Sequence, residues 1–297
     1  MTERRLGGVL APITTPFDSA TGEVAPGHLR QNVTRLVAAG LDGVVVAGST
    51  GESALLDPDE QRRMVGWVRD VLPGAGGRWL LAGTGGESTR QAVALTCAAA
   101  EEGADAVLVR PPSYFAAAVS PVTLVDYFRA VADASPVPVL VYNIPKYTHL
   151  SIAAGLLERL ASHTNIVGVK DSSGDAKNLA AYRDAAPRWS VFVGSASLLY
   201  QALELGCEGG ILAAACFAAE LCAQVLAAFR AGDRATAGRL QERLGPLDKE
   251  VVGRLGPAGV KAAMDAVGGG LYGGPVRAPL APVAPADRER VAKLVAA

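Results

Sequence analysis

The feature that most constrains this chain is an alternation repeated eight times: a short run of branched aliphatic residues, a turn, then a longer stretch of helical period. The spacing predicts strands at 7–13, 42–47, 79–83, 105–110, 137–142, 166–170, 191–194 and 210–214. It predicts helices at 26–39, 58–72, 88–102, 121–134, 152–161, 176–186, 196–205 and 216–230. Nearly unbroken apolar strands, such as Ala106-Val107-Leu108-Val109, suit a parallel sheet covered on both faces. Asp57-Pro58-Asp59-Glu60 and Ser120-Pro121 mark helix starts with a capping side chain and a first-turn proline. No linker interrupts the series, so the chain reads as one (β/α)8 barrel in residues 1–230. A doubly wound open sheet is the alternative, but no segment marks the edge and switch point it needs.

Beyond the eighth unit the strands stop. Residues 231–297 read as a C-terminal helical extension packed on the barrel, with helices at 232–253, 257–267 and 284–296. Gly268-Gly269-Gly270 and Tyr272-Gly273-Gly274-Pro275 are loops, and Pro279, Pro282 and Pro285 prevent a continuous helix between them.

Composition then excludes whole classes of function. With 28 Lys plus Arg against 29 Asp plus Glu, the net charge of −1 offers no field for nucleic acid or an anionic membrane. Cys97, Cys207, Cys216 and Cys222 form no CxxC pair, and three histidines make a poor metal set. The cysteines read as reduced, buried small residues of a cytoplasmic protein. Arg4 and Arg5 precede only the brief apolar run Leu6–Ile13, broken by glycine and proline, which is neither a signal peptide nor a membrane span. The expected partners are small molecules and further copies of the chain.

In such a barrel the chemistry gathers at the C-terminal ends of the strands. The second strand ends in Gly48-Ser49-Thr50-Gly51-Glu52-Ser53, whose hydroxyls and backbone N–H groups can receive a carboxylate; an ordinary Gly/Ser turn is the alternative. Gly83-Thr84-Gly85-Gly86-Glu87-Ser88 is similar, and neither loop has the lysine of a phosphate-binding loop. The sixth strand ends in Lys170. Only six of the 28 basic residues are lysines, so a lysine closing an apolar strand suggests an amine used as a nucleophile toward a carbonyl. Pairing with Asp171 is the structural alternative. The fifth strand ends in Tyr142-Asn143-Ile144-Pro145, where a phenol can relay protons or only pack on the rim. The fourth leads into Arg110-Pro111-Pro112-Ser113-Tyr114-Phe115, adding a cation and a second tyrosine, whereas His28, His149 and His163 form no constellation.

Taken in this order, Gly48–Glu52, Tyr142–Pro145 and Lys170-Asp171-Ser172, together with Ala11–Phe17 and Gly194-Ser195, the chain resembles the dihydrodipicolinate synthase/N-acetylneuraminate lyase family over nearly its whole length. The resemblance implies a class I aldolase in which Lys170 forms a Schiff base with pyruvate or the 2-oxo end of a 2-oxo acid, needing no metal or cofactor. It implies that Ser49 and Thr50 hold the substrate carboxylate, that Tyr142 is the acid/base, and that Gly194 and Ile211 line the pyruvate end. It further implies a homotetramer in which Ser49 links Tyr142 to a Tyr114 lent by a neighbouring chain.

Two departures bear on the substrate. Family synthases carry arginine two residues after the proline of the fifth-strand motif, to bind a substrate carboxylate; Tyr147 stands there, leaving Lys146 or Arg110 as replacements. Gly256–Lys261, Tyr272–Leu280 and Ser172 are more similar to 4-hydroxy-2-oxoglutarate and sugar-acid aldolases. The expectation is therefore cleavage of a 4-hydroxy-2-oxo acid, such as 4-hydroxy-2-oxoglutarate or a 2-keto-3-deoxy sugar acid, to pyruvate and an aldehyde. The alternative is 4-hydroxy-tetrahydrodipicolinate synthase, which condenses pyruvate with aspartate semialdehyde. A small-acid binding protein with decayed chemistry is the competitor from another class.

Overall fold

The computed structural model describes residues 5–72 and 77–296; Arg4 of the opening Arg4-Arg5 pair lies outside them. Eight parallel strands are present: β1 (Gly8–Pro12), β2 (Gly43–Val46), β3 (Trp79–Gly83), β4 (Ala106–Val109), β5 (Val139–Asn143), β6 (Ile166–Asp171), β7 (Ser190–Val193) and β8 (Gly209–Ile211). Each bonds to the next, and β8 returns to β1, closing the barrel in chain order. The expected strands agree to within a residue or three at their ends. The β5 ladder begins only at Val139, because Pro138 has no N–H to give.

Period-two alternation divides the strand residues between two cores. Leu10, Val45, Leu81, Leu108, Leu140, Phe192 and Ile211 fill the barrel interior. Their neighbours Val9, Val44, Val46, Leu80, Val107, Val141 and Val191 face the helices. Each such side chain contributes about 1.5–3 kcal/mol on burial. Closure demands close backbone approach: at Gly209, which holds φ 148°, a Cβ would fall 1.9 Å from the Gly8 carbonyl oxygen.

Around the barrel run α1 (Pro26–Ala38), α2 (Pro58–Arg69), α3 (Thr89–Glu101), α4 (Pro121–Ala134), the single-turn α5 (Pro145–Thr148), α6 (Ala154–Leu160), α7 (Ala176–Ala185), α8 (Leu199–Glu204) and α9 (Ala219–Arg230). Both expected caps form. Asp57 and Glu60 close a capping box at α2, and Ser120 and Thr123 another at α4, each worth about 1 kcal/mol. The segment 196–205 divides into a 3-10 turn, Ala196–Leu198, and α8. Helix α5 was not foreseen, since one turn is too short to show a period.

The extension comprises α10 (Arg234–Leu247), α11 (Arg254–Val267) and α12 (Pro285–Val295), with α10 packed on α9 and α12 on α11. The single helix expected over 232–253 instead passes at Asp248 into a π-helical turn, Asp248–Gly253, just after Pro246 interrupts the α-helical bonding. Gly256, at φ 59°, then kinks the chain before Pro257. No helix among the described residues is long and apolar enough to cross a membrane. Three of the cysteines are buried as expected, while Cys97 is only half-buried; all four are free thiols.

Candidate active site

Strand register brings the central pair together. Tyr142 on β5 stands opposite Lys170 on β6, and the alternation turns both side chains into the barrel. Lys170 Nζ donates to Tyr142 Oη at 3.2 Å, and the two residues are 4% and 5% exposed. The same alternation sends Asn143 and Asp171 outward. Asp171 accepts from Asn143 Nδ2 and Ser173 Oγ, both at 2.6 Å, so it is not the partner of Lys170. Burial raises the Asp171 carboxyl above its usual range, against the pull of those two hydrogen bonds.

A cavity of about 250 Å³ opens above the pair, at the C-terminal ends of the strands. Ser49 and Thr50 form one side; Gly194 and Ile211 lie at the ends of β7 and β8; Ser172 and Tyr147 also line it. Gly194 is required where it stands, because a Cβ would fall 2.0 Å from Ser172 Oγ and 2.9 Å from the Asp171 carbonyl oxygen. The loop bearing Ser49 and Thr50 is pinned from the segment that follows β1, where Thr15 Oγ1 donates to the Gly51 carbonyl at 2.6 Å. Lys146 and Lys249 stand at the mouth, and Lys146 Nζ donates to the Gly253 carbonyl at 3.1 Å.

Two expected residues lie elsewhere. Arg110 does not enter this cavity: its guanidinium pairs with Glu87 at 2.9 Å and lines a neighbouring cavity of about 210 Å³. An arginine at the end of β4 reaches the Gly85–Glu87 loop before it can reach β6. Burial alone would raise the Glu87 carboxyl, but the N–H groups of Tyr114 and Ser113, the Ser113 hydroxyl and Arg110 outweigh it and lower it to about 2. Tyr114 is 82% exposed beside Phe115, and within this chain it touches neither Lys170 nor Tyr142. Ser49 and Tyr142 border both cavities.

Other lining residues escaped the sequence. Ser173, Ser195 and Ser197 come from loops after β6 and β7, and Asp248, Lys249 and Val252 from the π-helical turn. Asp248 accepts from Ser195 Oγ at 2.6 Å and from the Ser197 N–H at 2.9 Å, tying the extension to the barrel rim. Only the Ser195 motif gave a signal, because periodicity does not report which turn of a distant helix caps a barrel.

The profile of the family described as "Dihydrodipicolinate synthetase family" matches residues 5–297. The chain belongs to the dihydrodipicolinate synthetase family. It is 35% identical over 289 residues to a probable mitochondrial 4-hydroxy-2-oxoglutarate aldolase from Emericella nidulans, covering 96% of this chain and 92% of that protein. It is also 35% identical over 292 residues to a 4-hydroxy-tetrahydrodipicolinate synthase from Methanospirillum hungatei, covering 97% and 98%. Among solved structures, a dihydrodipicolinate synthase from Bacillus anthracis superposes with a TM-score of 0.91 at 29% identity, covering 98% and 97%. YagE of Escherichia coli K12, a family member in complex with pyruvate, gives 0.90 at 28% identity over the same shares. The chain is accordingly an enzyme of the pyruvate-dependent, Schiff-base-forming lyase class. The expected lean toward the 4-hydroxy-2-oxoglutarate and sugar-acid side needs correction, since most of the relatives found are 4-hydroxy-tetrahydrodipicolinate synthases.

Proposed function

We propose that the enzyme condenses pyruvate with aspartate semialdehyde as a 4-hydroxy-tetrahydrodipicolinate synthase, the reaction named for most of its relatives. The observation that carries the chemistry is the buried Lys170–Tyr142 pair, with the Ser49-Thr50 loop on one side of it and Lys146 and Lys249 at the open mouth. Ser49 and Thr50 hold the pyruvate carboxylate. The Lys170 amine, as free base, attacks C2 of pyruvate. The former ketone oxygen takes one proton from the attacking nitrogen and a second from Tyr142, departs as water and leaves an iminium. Loss of a C3 proton gives the enamine, C3 attacks the aldehyde carbon, and the aldehyde oxygen takes up a proton; attack at C2 by the semialdehyde's own amine, or by water, then breaks the bond to Lys170 and frees its amine. The same steps in reverse cleave a 4-hydroxy-2-oxo acid.

That reverse use is the second reading, and Tyr147 favours it. A phenol stands where the synthases carry a carboxylate-binding guanidinium, and the related Emericella protein is a probable 4-hydroxy-2-oxoglutarate aldolase. Two assays discriminate: reductase-coupled condensation of pyruvate with aspartate semialdehyde, and pyruvate release from 4-hydroxy-2-oxoglutarate or 2-keto-3-deoxy sugar acids. Condensation with the larger kcat/KM sustains the synthase; faster pyruvate release with negligible condensation replaces it by the aldolase. On either reading, a hydrogen bond from Tyr147 to a charged partner is worth about 1.5–3 kcal/mol, so Tyr147→Phe should raise KM for that partner roughly tenfold or more. An unchanged KM would remove Tyr147 from recognition.

The reading extends to assembly in a homotetramer within the cytoplasm. Exposed Tyr114 and Phe115, packed edge to face, offer an apolar pair that a second copy can cover, bringing Tyr114 toward the cavity bordered by Ser49 and Tyr142. Light scattering at assay concentration is expected to give a multiple of the chain mass, and Tyr114→Phe should slow turnover without lowering that mass. A mass equal to one chain would contradict the shared relay.

A further inference from the structure

Outside the Lys170–Tyr142 pair lies a buried ion pair to which the chemistry above assigns no role. Glu52 and Lys261 are 3% and 1% exposed, and Lys261 Nζ lies 2.5 Å from Glu52 Oε1. Glu52 ends the loop that carries Ser49 and Thr50. It sits at φ 59°, ψ 34°, a left-handed conformation that a residue with a Cβ keeps only when its surroundings hold it there. Those surroundings come from the C-terminal extension. Glu52 Oε2 accepts from the Arg277 N–H at 2.8 Å, and Lys261 Nζ also donates to the Pro275 carbonyl at 2.6 Å. Lys261 adjoins Val260 on α11, and Val260, Gly256 and Pro257 line the Lys170 cavity.

The pair therefore ties together two elements that line one cavity, the loop of Ser49 and Thr50 and helix α11. A buried ion pair is a weak source of stability, because the cost of desolvating both charges offsets most of their attraction. What it supplies is fixed geometry. We infer that Glu52 and Lys261 are positioning residues, which hold the strained loop so that Ser49 and Thr50 meet the substrate carboxylate while its 2-oxo carbon faces Lys170. A register error of about 1 Å at such a loop is enough to impair a reaction that depends on alignment.

The inference rests on the Schiff-base reading, and borohydride trapping tests the two separately. Wild-type enzyme, Glu52→Gln and the double variant Glu52→Gln/Lys261→Met are titrated with pyruvate, and the reduced adduct on Lys170 is quantified by peptide mass. The double variant leaves no lone buried charge, and Glu52→Gln is isosteric, so at least one is expected to retain the wild-type circular dichroism. Each folded variant should need about tenfold or more pyruvate for half-maximal trapping, with the adduct at saturation recovered. A folded variant that lowers only the melting temperature and saturates at the wild-type concentration would overturn the positioning role while leaving the Schiff base standing. Absence of any adduct on wild-type Lys170 would overturn both.

Discussion

Lys170→Ala is expected to abolish both turnover and the borohydride-trapped pyruvyl adduct, lowering the rate at least ~10⁴-fold, because the covalent intermediate cannot form without the amine. The fold should survive. Among the described residues Lys170 makes one direct polar contact, with the Tyr142 hydroxyl, and the neighbouring Asp171 is satisfied by Asn143 and Ser173 on the other face of β6 whether or not the ammonium is there. The expected signature is a variant with wild-type circular dichroism, an unchanged peptide mass after pyruvate and borohydride, and no product. Full turnover by this variant would sink imine catalysis. Pyruvate binding without trapping or turnover in the wild-type enzyme would move the small-acid binding protein to the front.

Tyr142→Phe carries the second large effect. The phenol lies 3.2 Å from the amine and is buried with it, so it is placed to move protons as the carbinolamine loses water. Removing the hydroxyl while keeping the ring should slow kcat by ~10²–10⁴-fold, the usual contribution of one positioned acid/base group. Saturation with pyruvate should change much less, because the carboxylate contacts we propose are those of Ser49 and Thr50, which also line the cavity. A pre-steady-state trapping course separates these expectations: adduct accumulates slowly to the full amount. Unchanged kcat would remove Tyr142 from proton transfer and leave it as packing beneath the cavity.

These two effects concern residues that the sequence made visible, and the reason is local. Lys170 and Tyr142 each close a run of apolar residues, and a barrel confines chemistry to the ends of such runs, so a polar residue there stands out against its own strand. Ser49 and Thr50 were legible in the same way, whereas Gly194, Ser172 and Ile211 came from the family resemblance; all five line the cavity. Arg110 pairs with Glu87 instead of lining the Lys170 cavity, because a long side chain at a strand end can turn toward either neighbouring loop, and Glu87 on the adjacent loop decides which. Tyr147 was legible as a departure from a motif. Its bearing on the partner aldehyde is a matter for the two assays.

The sequence by itself determined the eight βα units and their order, and it singled out Lys170 as the candidate nucleophile. The units follow from short-range periodicity, whereas Lys170 needed the family resemblance to be preferred over a lysine paired with a carboxylate. Only the tertiary structure decided that the extension contributes part of the cavity, through Asp248, Lys249 and Val252 on a π-helical turn and through the Lys261–Glu52 bridge. Lys261 is 209 positions from Glu52 in a chain that otherwise uses lysine sparingly, and no local pattern distinguishes a buried ammonium from an exposed one. The physical reason is that an ion pair is selected by the space it closes. That space exists only once α11 has packed across the barrel mouth.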